Sequence, residues 1–131
     1  MSTLFTKILH GEIPCYKVAE NDYAFAFLDI FPLVKGHTLV VPKIEIDQLF
    51  DLPEPHFSEL WKFSKEVARG LKATIDCQRI GSSVIGLEVP HAHIHLMPIS
   101  TMDEMNFANA KQKYSEEEFE KIAKTISSYW G

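Results

Sequence analysis

Only two cysteines, Cys15 and Cys77, occur in 131 residues, and they form no CxxC pair. That scarcity argues against a disulfide-stapled secreted scaffold. No stretch approaches the roughly eighteen uninterrupted apolar residues that a membrane helix needs. The opening Met1-Ser2-Thr3-Leu4-Phe5-Thr6-Lys7 also lacks the long apolar run of a signal peptide. A cytoplasmic protein with no membrane partner is expected. Positive charge is short as well: 13 Lys and Arg stand against 18 Asp and Glu, a formal net charge of −5. The field of the whole molecule therefore draws in neither nucleic acid nor an anionic lipid surface. An anionic substrate would have to meet a locally positive pocket. The chain has no internal repeat, low-complexity run or linker, and it is too short for two ordinary domains. A single domain over 1–131 is expected. What the chain does have is apolar side chain, 46% of its residues, enough to bury a core without metal or disulfide.

The periodicities predict an α+β domain. Leu4, Phe5, Ile8 and Leu9 have helical spacing over Leu4 to His10, and Gly11 can end that short helix. Tyr16 to Glu20 and Tyr23 to Asp29 read as a hairpin turning at Asn21-Asp22. His37 to Pro42 is a further strand, preceded by the loop Phe31 to Gly36. Pro53 and Pro55 open the clearest helix, which runs to about Ile75, with Phe57, Leu60, Trp61, Ser64, Val67, Ala68 and Leu71 as its expected buried stripe. Arg79 to Ile85 and His91 to Ile99 are the last strand candidates. Ser115 and Glu118 have the spacing of a capping box ahead of a helix through Tyr129. Strands crowd the middle and helices are segregated around them, which points to a mostly antiparallel sheet.

The informative segment is Pro90-His91-Ala92-His93-Ile94-His95-Leu96-Met97-Pro98. Alternate side chains of a strand share a face, so His91, His93 and His95 are expected to project together while Ala92, Ile94 and Leu96 face the core. Three of the six histidines fall within five residues. Three readings are open. The first is a half-buried strand whose polar face is histidine, although Thr, Lys or Glu fill such faces more readily. The second is a metal site. Residues four apart on a strand are about 13 Å apart, so such a site would use two of the three with His37 or a carboxylate. The third is phosphate chemistry. A neutral imidazole is a nucleophile near pH 7, and a neighbouring ring can hold phosphate charge or give a proton to the leaving group. His37, after Gly36 at the start of a strand, is a plausible fourth member.

This H-x-H-x-H run, with apolar Ala92, Ile94, Leu96 and Met97 between and after, resembles the signature of the histidine triad (HIT) family. The likeness extends through Leu4 to Pro14, Ala26 to Pro32 and Gly36 to Pro42, and covers about residues 3–99; the helical extension at about 100–131 adds nothing to it. The resemblance implies the HIT fold: five antiparallel strands, one long packed helix, a short N-terminal helix and a C-terminal helix. It implies a homodimer and a nucleotide substrate, with adenosine as the expected base, and no required cofactor or metal. His93 would attack the α-phosphate and become nucleotidylated before water releases the nucleoside monophosphate. His91 and His37 would lie behind His93 and orient it, and His95 would contact phosphate oxygens and help protonate the leaving group. Asp29 would grip the ribose hydroxyls, and Phe5, Ile8, Ile30 and Leu39 would wall the base. Without the resemblance, Asp29 reads as a strand-end turn cap and the four apolar residues as core. The alternative is a nucleotide-binding sensor or partner protein with little turnover.

Three departures from the family pattern bear on substrate and rate. Leu87 stands after Gly86 where many members have a glutamine, and the usual asparagine is missing from Arg79-Ile80-Gly81-Ser82-Ser83, leaving Ser82 or Ser83 as substitutes. Glu88, a further expected substrate contact, would favour a basic leaving group. Some bacterial relatives hold zinc through a CxxC and a histidine, and here Thr3, Thr6 and Glu45 occupy those places.

Overall fold

The computed structural model describes residues 3–131; Met1 and Ser2 of the expected 1–131 domain lie outside the described residues. Five strands form one antiparallel sheet in the order β1-β2-β3-β5-β4: β1 Lys17–Glu20, β2 Ala24–Leu28, β3 Thr38–Pro42, β4 Arg79–Ser83 and β5 Ile94–Ile99. The helices are α1 Leu4–Leu9, α2 His56–Thr74 and α3 Glu116–Ser127. This is the expected α+β architecture. No helix among the described residues is long and apolar enough to cross a membrane.

The central strands are buried on both faces, which is why β2, β3 and β5 read as nearly unbroken apolar runs. On one face Ala24, Ala26, Leu28, Val40, Ile94 and Leu96 join the core under α2 and α3. On the other, Phe25, Phe27, Leu39 and Val41 pack with Phe5 and Ile8 of α1. The β1–β2 turn forms as expected, because the Asn21 side-chain oxygen accepts from the backbone N–H groups of Tyr23 and Ala24, both at 2.9 Å. The capping box of α3 is also present: Glu118 N–H donates to Ser115 Oγ at 3.1 Å, and Ser115 N–H donates to Glu118 Oε1 at 2.9 Å.

The buried face of one helix and the boundaries of two strands differ from the sequence expectation. The stripe of α2 is turned toward Phe63 and Gly70, and Trp61 is left 37% exposed. Trp130, in the turn that follows α3, lies over Gly70, where a Cβ would come within 2.5 Å of its ring. Trp130 thus packs on its own chain, against the Gly70 side of α2. β4 stops at Ser83, short of Ile85. β5 begins at Ile94, so His91 and His93 precede the strand instead of riding on it. The cause is a change of hydrogen-bond partner. Ala92 N–H donates to Ile46 O at 2.7 Å and His91 N–H to Val89 O at 2.8 Å, neither of which is on a neighbouring strand. The His91 ring itself takes the carbonyl of Pro42 at the end of β3.

Candidate active site

β5 and the extended segment before it deliver the histidines to the α1 side of the sheet. Ile94 and Leu96 point into the core under α2, so His95 projects from the opposite face. In the β3–β5 register Leu39 faces His95, and His37 lies just ahead of Thr38, diagonal to it. All four histidines are buried.

Their protons can be assigned from the group that each ring nitrogen faces, since a carbonyl only accepts and a backbone N–H only donates. His93 Nδ1 is 2.7 Å from the carbonyl oxygen of His91, so Nδ1 carries the proton. In the neutral ring this leaves the lone pair on Nε2. Leu33 N–H donates to His37 Nδ1 at 3.1 Å, which puts the His37 proton on Nε2. That proton is donated to His95 Nδ1 at 2.9 Å, and the proton of His95 is therefore on Nε2. His91 Nε2–H donates to Pro42 O at 3.0 Å, and its Nδ1 accepts from Thr3 Oγ1 at 2.9 Å. Thr3 also caps α1, and Glu45 accepts from Thr3 N–H at 2.8 Å and Thr6 Oγ1 at 2.7 Å. Thr3, Thr6 and Glu45 thus form a hydrogen-bonded clasp against His91.

His91 lies outside the described lining of the cleft and meets the His93 ring through its backbone oxygen. His37 stands behind His95, not behind His93. Phe5 takes the flank of His93 instead, edge-on with ring centroids 5.0 Å apart, and the His93 and His95 rings are also 5.0 Å apart. Burial pushes His37 down to about 4, helped by the Lys111 charge, and pushes His95 down to about 4, helped by His37 and His93. Both rings are therefore neutral at pH 7. Burial also lowers His91, against the opposing bond to Pro42.

His93 and His95 open into a cleft of about 420 Å³, a size that suits a small ligand. Its walls include Phe5, Ile8, Phe27 and Leu39, and Asp29 and His37 stand at the polar end. Ile30, 55% exposed, also lines the cleft, as do the exposed Leu87 and Glu88. Asp29 Oδ1 accepts from Phe31 N–H at 2.8 Å, the turn-capping role, while Oδ2 lies 3.6 Å from His37 Nε2. Ser82 and Ser83 are not among the described lining residues. Two that sequence reasoning missed are Phe107 and Lys111, from the segment between β5 and α3. Phe107 packs edge-on against His95 at 5.0 Å and faces His37 at 6.2 Å. The only signal for them was indirect: an acidic protein with an anionic ligand needs a cation somewhere near it.

Asp29, His37 and His95 bring three ligand atoms within 4.8 Å of one another. The hydrogen bonds disfavour a metal there. With Leu33 N–H already engaging Nδ1, coordination through His37 Nε2 would require that ring to lose its last proton.

A small α+β protein with a buried histidine cluster opening into a ligand-sized cleft is the class that fold and geometry define. The HIT domain model matches residues 10–102, and the chain belongs to the HIT family. It is 33% identical over 122 residues to an adenosine 5'-monophosphoramidase, HNT1 of Saccharomyces cerevisiae, covering 92% of this chain and 76% of that one. It is 34% identical over 138 residues to an uncharacterized HIT-like protein of Borreliella burgdorferi, covering 95% of each. Among solved structures, a HIT-like protein of Bartonella henselae superposes with a TM-score of 0.83 at 27% identity, covering 97% of this chain and 95% of that one.

Proposed function

We propose that this chain is a nucleotidyl hydrolase that cleaves a P–N or P–O bond at the α-phosphate of a nucleoside monophosphate derivative, with adenosine as the base. The observation that carries the reading is the 2.7 Å bond from His93 Nδ1 to the His91 carbonyl, which leaves the Nε2 lone pair as the nucleophile. Nε2 bonds to phosphorus and the leaving atom departs with the bonding pair. His95 Nε2–H is the donor for the phosphoryl oxygens and the leaving atom. Water then attacks phosphorus and the Nε2–P bond breaks. Over the cycle water supplies the hydroxyl on phosphorus and the proton on the leaving group. The 33% identity to a monophosphoramidase supports this chemistry and the choice of adenosine. No metal or other cofactor is required for the attack.

Asp29 is proposed for the ribose hydroxyls, Phe5, Ile8, Ile30 and Leu39 for the base, and Glu88 for the leaving group. A homodimer is part of the proposal, supported by edge strand β4 and the exposed Val84 and Ile85 that follow it. A nucleotide sensor with little turnover is the second reading. It is favoured by Leu87, which is 89% exposed and cannot hydrogen-bond a leaving group.

Incubation with an adenosine phosphoramidate, quenched in non-acidic denaturant because P–N bonds are acid-labile, is expected to leave a nucleotidyl mass on His93. Product that persists in His93→Ala rejects the mechanism. Binding with no product favours the sensor.

A further inference from the structure

We propose that Lys111 is the phosphate-binding cation of the cleft, exchanging its present hydrogen bond for the α-phosphoryl oxygens when a nucleotide enters. This deepens the nucleotide reading above and rests on it.

The first argument is charge. The protein carries −5 overall, and the cleft presents two carboxylates, Asp29 and Glu88. Among its described lining residues Lys111 is the one lysine or arginine. His37 and His95 cannot substitute at neutral pH, because burial keeps both uncharged. An anionic phosphoryl group beside His93 therefore meets a single permanent positive charge. Low-dielectric walls make that charge count for more than it would in water.

The second argument is position. Lys111 Nζ lies 5.9 Å from the centre of the Phe107 ring. The same ring packs edge-on against His95 and His37. The ammonium thus stands one aromatic ring away from the histidine that offers its N–H to the cleft.

The third is availability. Nζ donates to the Phe107 carbonyl at 3.0 Å, and among the described residues no carboxylate lies within 4.0 Å of it. Lys17, Lys43, Lys62 and Arg69 are each paired with a glutamate, and, Lys111 aside, the remaining lysines and Arg79 are not among the cleft's described lining residues. Lys111 is exposed on a flexible four-carbon stem. Replacing a neutral carbonyl with a phosphate pairs the ammonium with an opposite charge and so strengthens its hydrogen bond. Lys111 also lies outside the span 10–102 matched by the HIT domain model.

The test is titration of AMP and of adenosine into the full chain, as wild type, Lys111→Gln and Lys111→Arg. AMP is expected to bind the wild type more tightly than adenosine does. Lys111→Gln should weaken AMP by roughly 10- to 100-fold, leave adenosine unchanged, and flatten the salt dependence. Lys111→Arg should keep most of the preference for AMP. An AMP-to-adenosine ratio that is the same in Lys111→Gln as in the wild type overturns the proposal. The outcomes separate it from the hydrolase reading. Lys111-dependent AMP binding without turnover keeps the cation and removes the hydrolase. Turnover through His93 at unchanged kcat/KM and unchanged AMP affinity in Lys111→Gln does the reverse. A wild type that binds neither ligand removes both.

Discussion

Acidification from pH 8 to pH 5 should remove about 4 kcal/mol of folding stability through His37 and His95 alone. Each ring is held at about 4 in the folded protein against 6.5 when free. The unfolded chain therefore takes up protons that the native state refuses, and stability falls as pH drops through 6.5 toward 4. Above 6.5 both states are neutral and nothing is lost. By linkage each ring contributes about 2 kcal/mol by pH 5, and the pair a large share of the total of about 5–15 kcal/mol expected for such a domain. Carboxylates with lowered values, such as Glu20 held down by Lys17 and Lys43, act only as pH falls through 4.5, so the window above pH 5 isolates the imidazoles. Urea unfolding followed by tryptophan fluorescence at pH 8, 7, 6 and 5 gives the slope. His37→Asn and His95→Asn each delete one titrating ring and should each reduce the loss by about 2 kcal/mol. A loss below about 1 kcal/mol across the window, or one unchanged in both variants, would refute the claim that these rings are buried and neutral.

Gly36 sits at φ +86°, and a Cβ there would lie 3.2 Å from Pro98 Cγ and 3.3 Å from Ile75 Cγ1. Gly36→Ala should cost about 2 kcal/mol, seen as a lower urea midpoint at unchanged m-value. Ser115→Ala removes the hydroxyl that accepts from Glu118 N–H. It should cost about 1 kcal/mol, with no effect on AMP affinity.

Most of the fold was legible because its signals are local. Asn21-Asp22 makes its own turn, Ser115 and Glu118 cap each other, and two-sided burial writes β2 and β3 as apolar runs. What was not legible depends on partners distant in sequence. The period-two pattern carried the strand back to His91, yet Ala92 bonds to Ile46 and ends the ladder at Ile94. The helical pattern could not decide between the Trp61 and Phe63 flanks of α2, because the Phe63 flank is covered by residues distant in sequence, those of α3 and Trp130 over Gly70. Lys111 belongs to no motif and reaches the cleft only because the chain after β5 folds back beside His37 and His95.

The histidine spacing gathers equivalent rings, and the backbone then makes them unequal. His91 spends both nitrogens on Pro42 and Thr3, and His37 spends both on Leu33 and His95. Only His93 and His95 keep one nitrogen each for the cleft. The His91 carbonyl fixes the His93 proton on Nδ1, so Nε2 offers a lone pair. The proton from His37 fixes the lone pair of His95 on Nδ1, so its Nε2 offers N–H. Two rings 5.0 Å apart thus present opposite functions, an acceptor that can attack and a donor that can assist departure. Four histidines without those backbone partners would be interchangeable. It is Leu33 N–H and the His91 carbonyl, two groups that no side-chain motif records, that make His93 rather than His95 the proposed nucleophile.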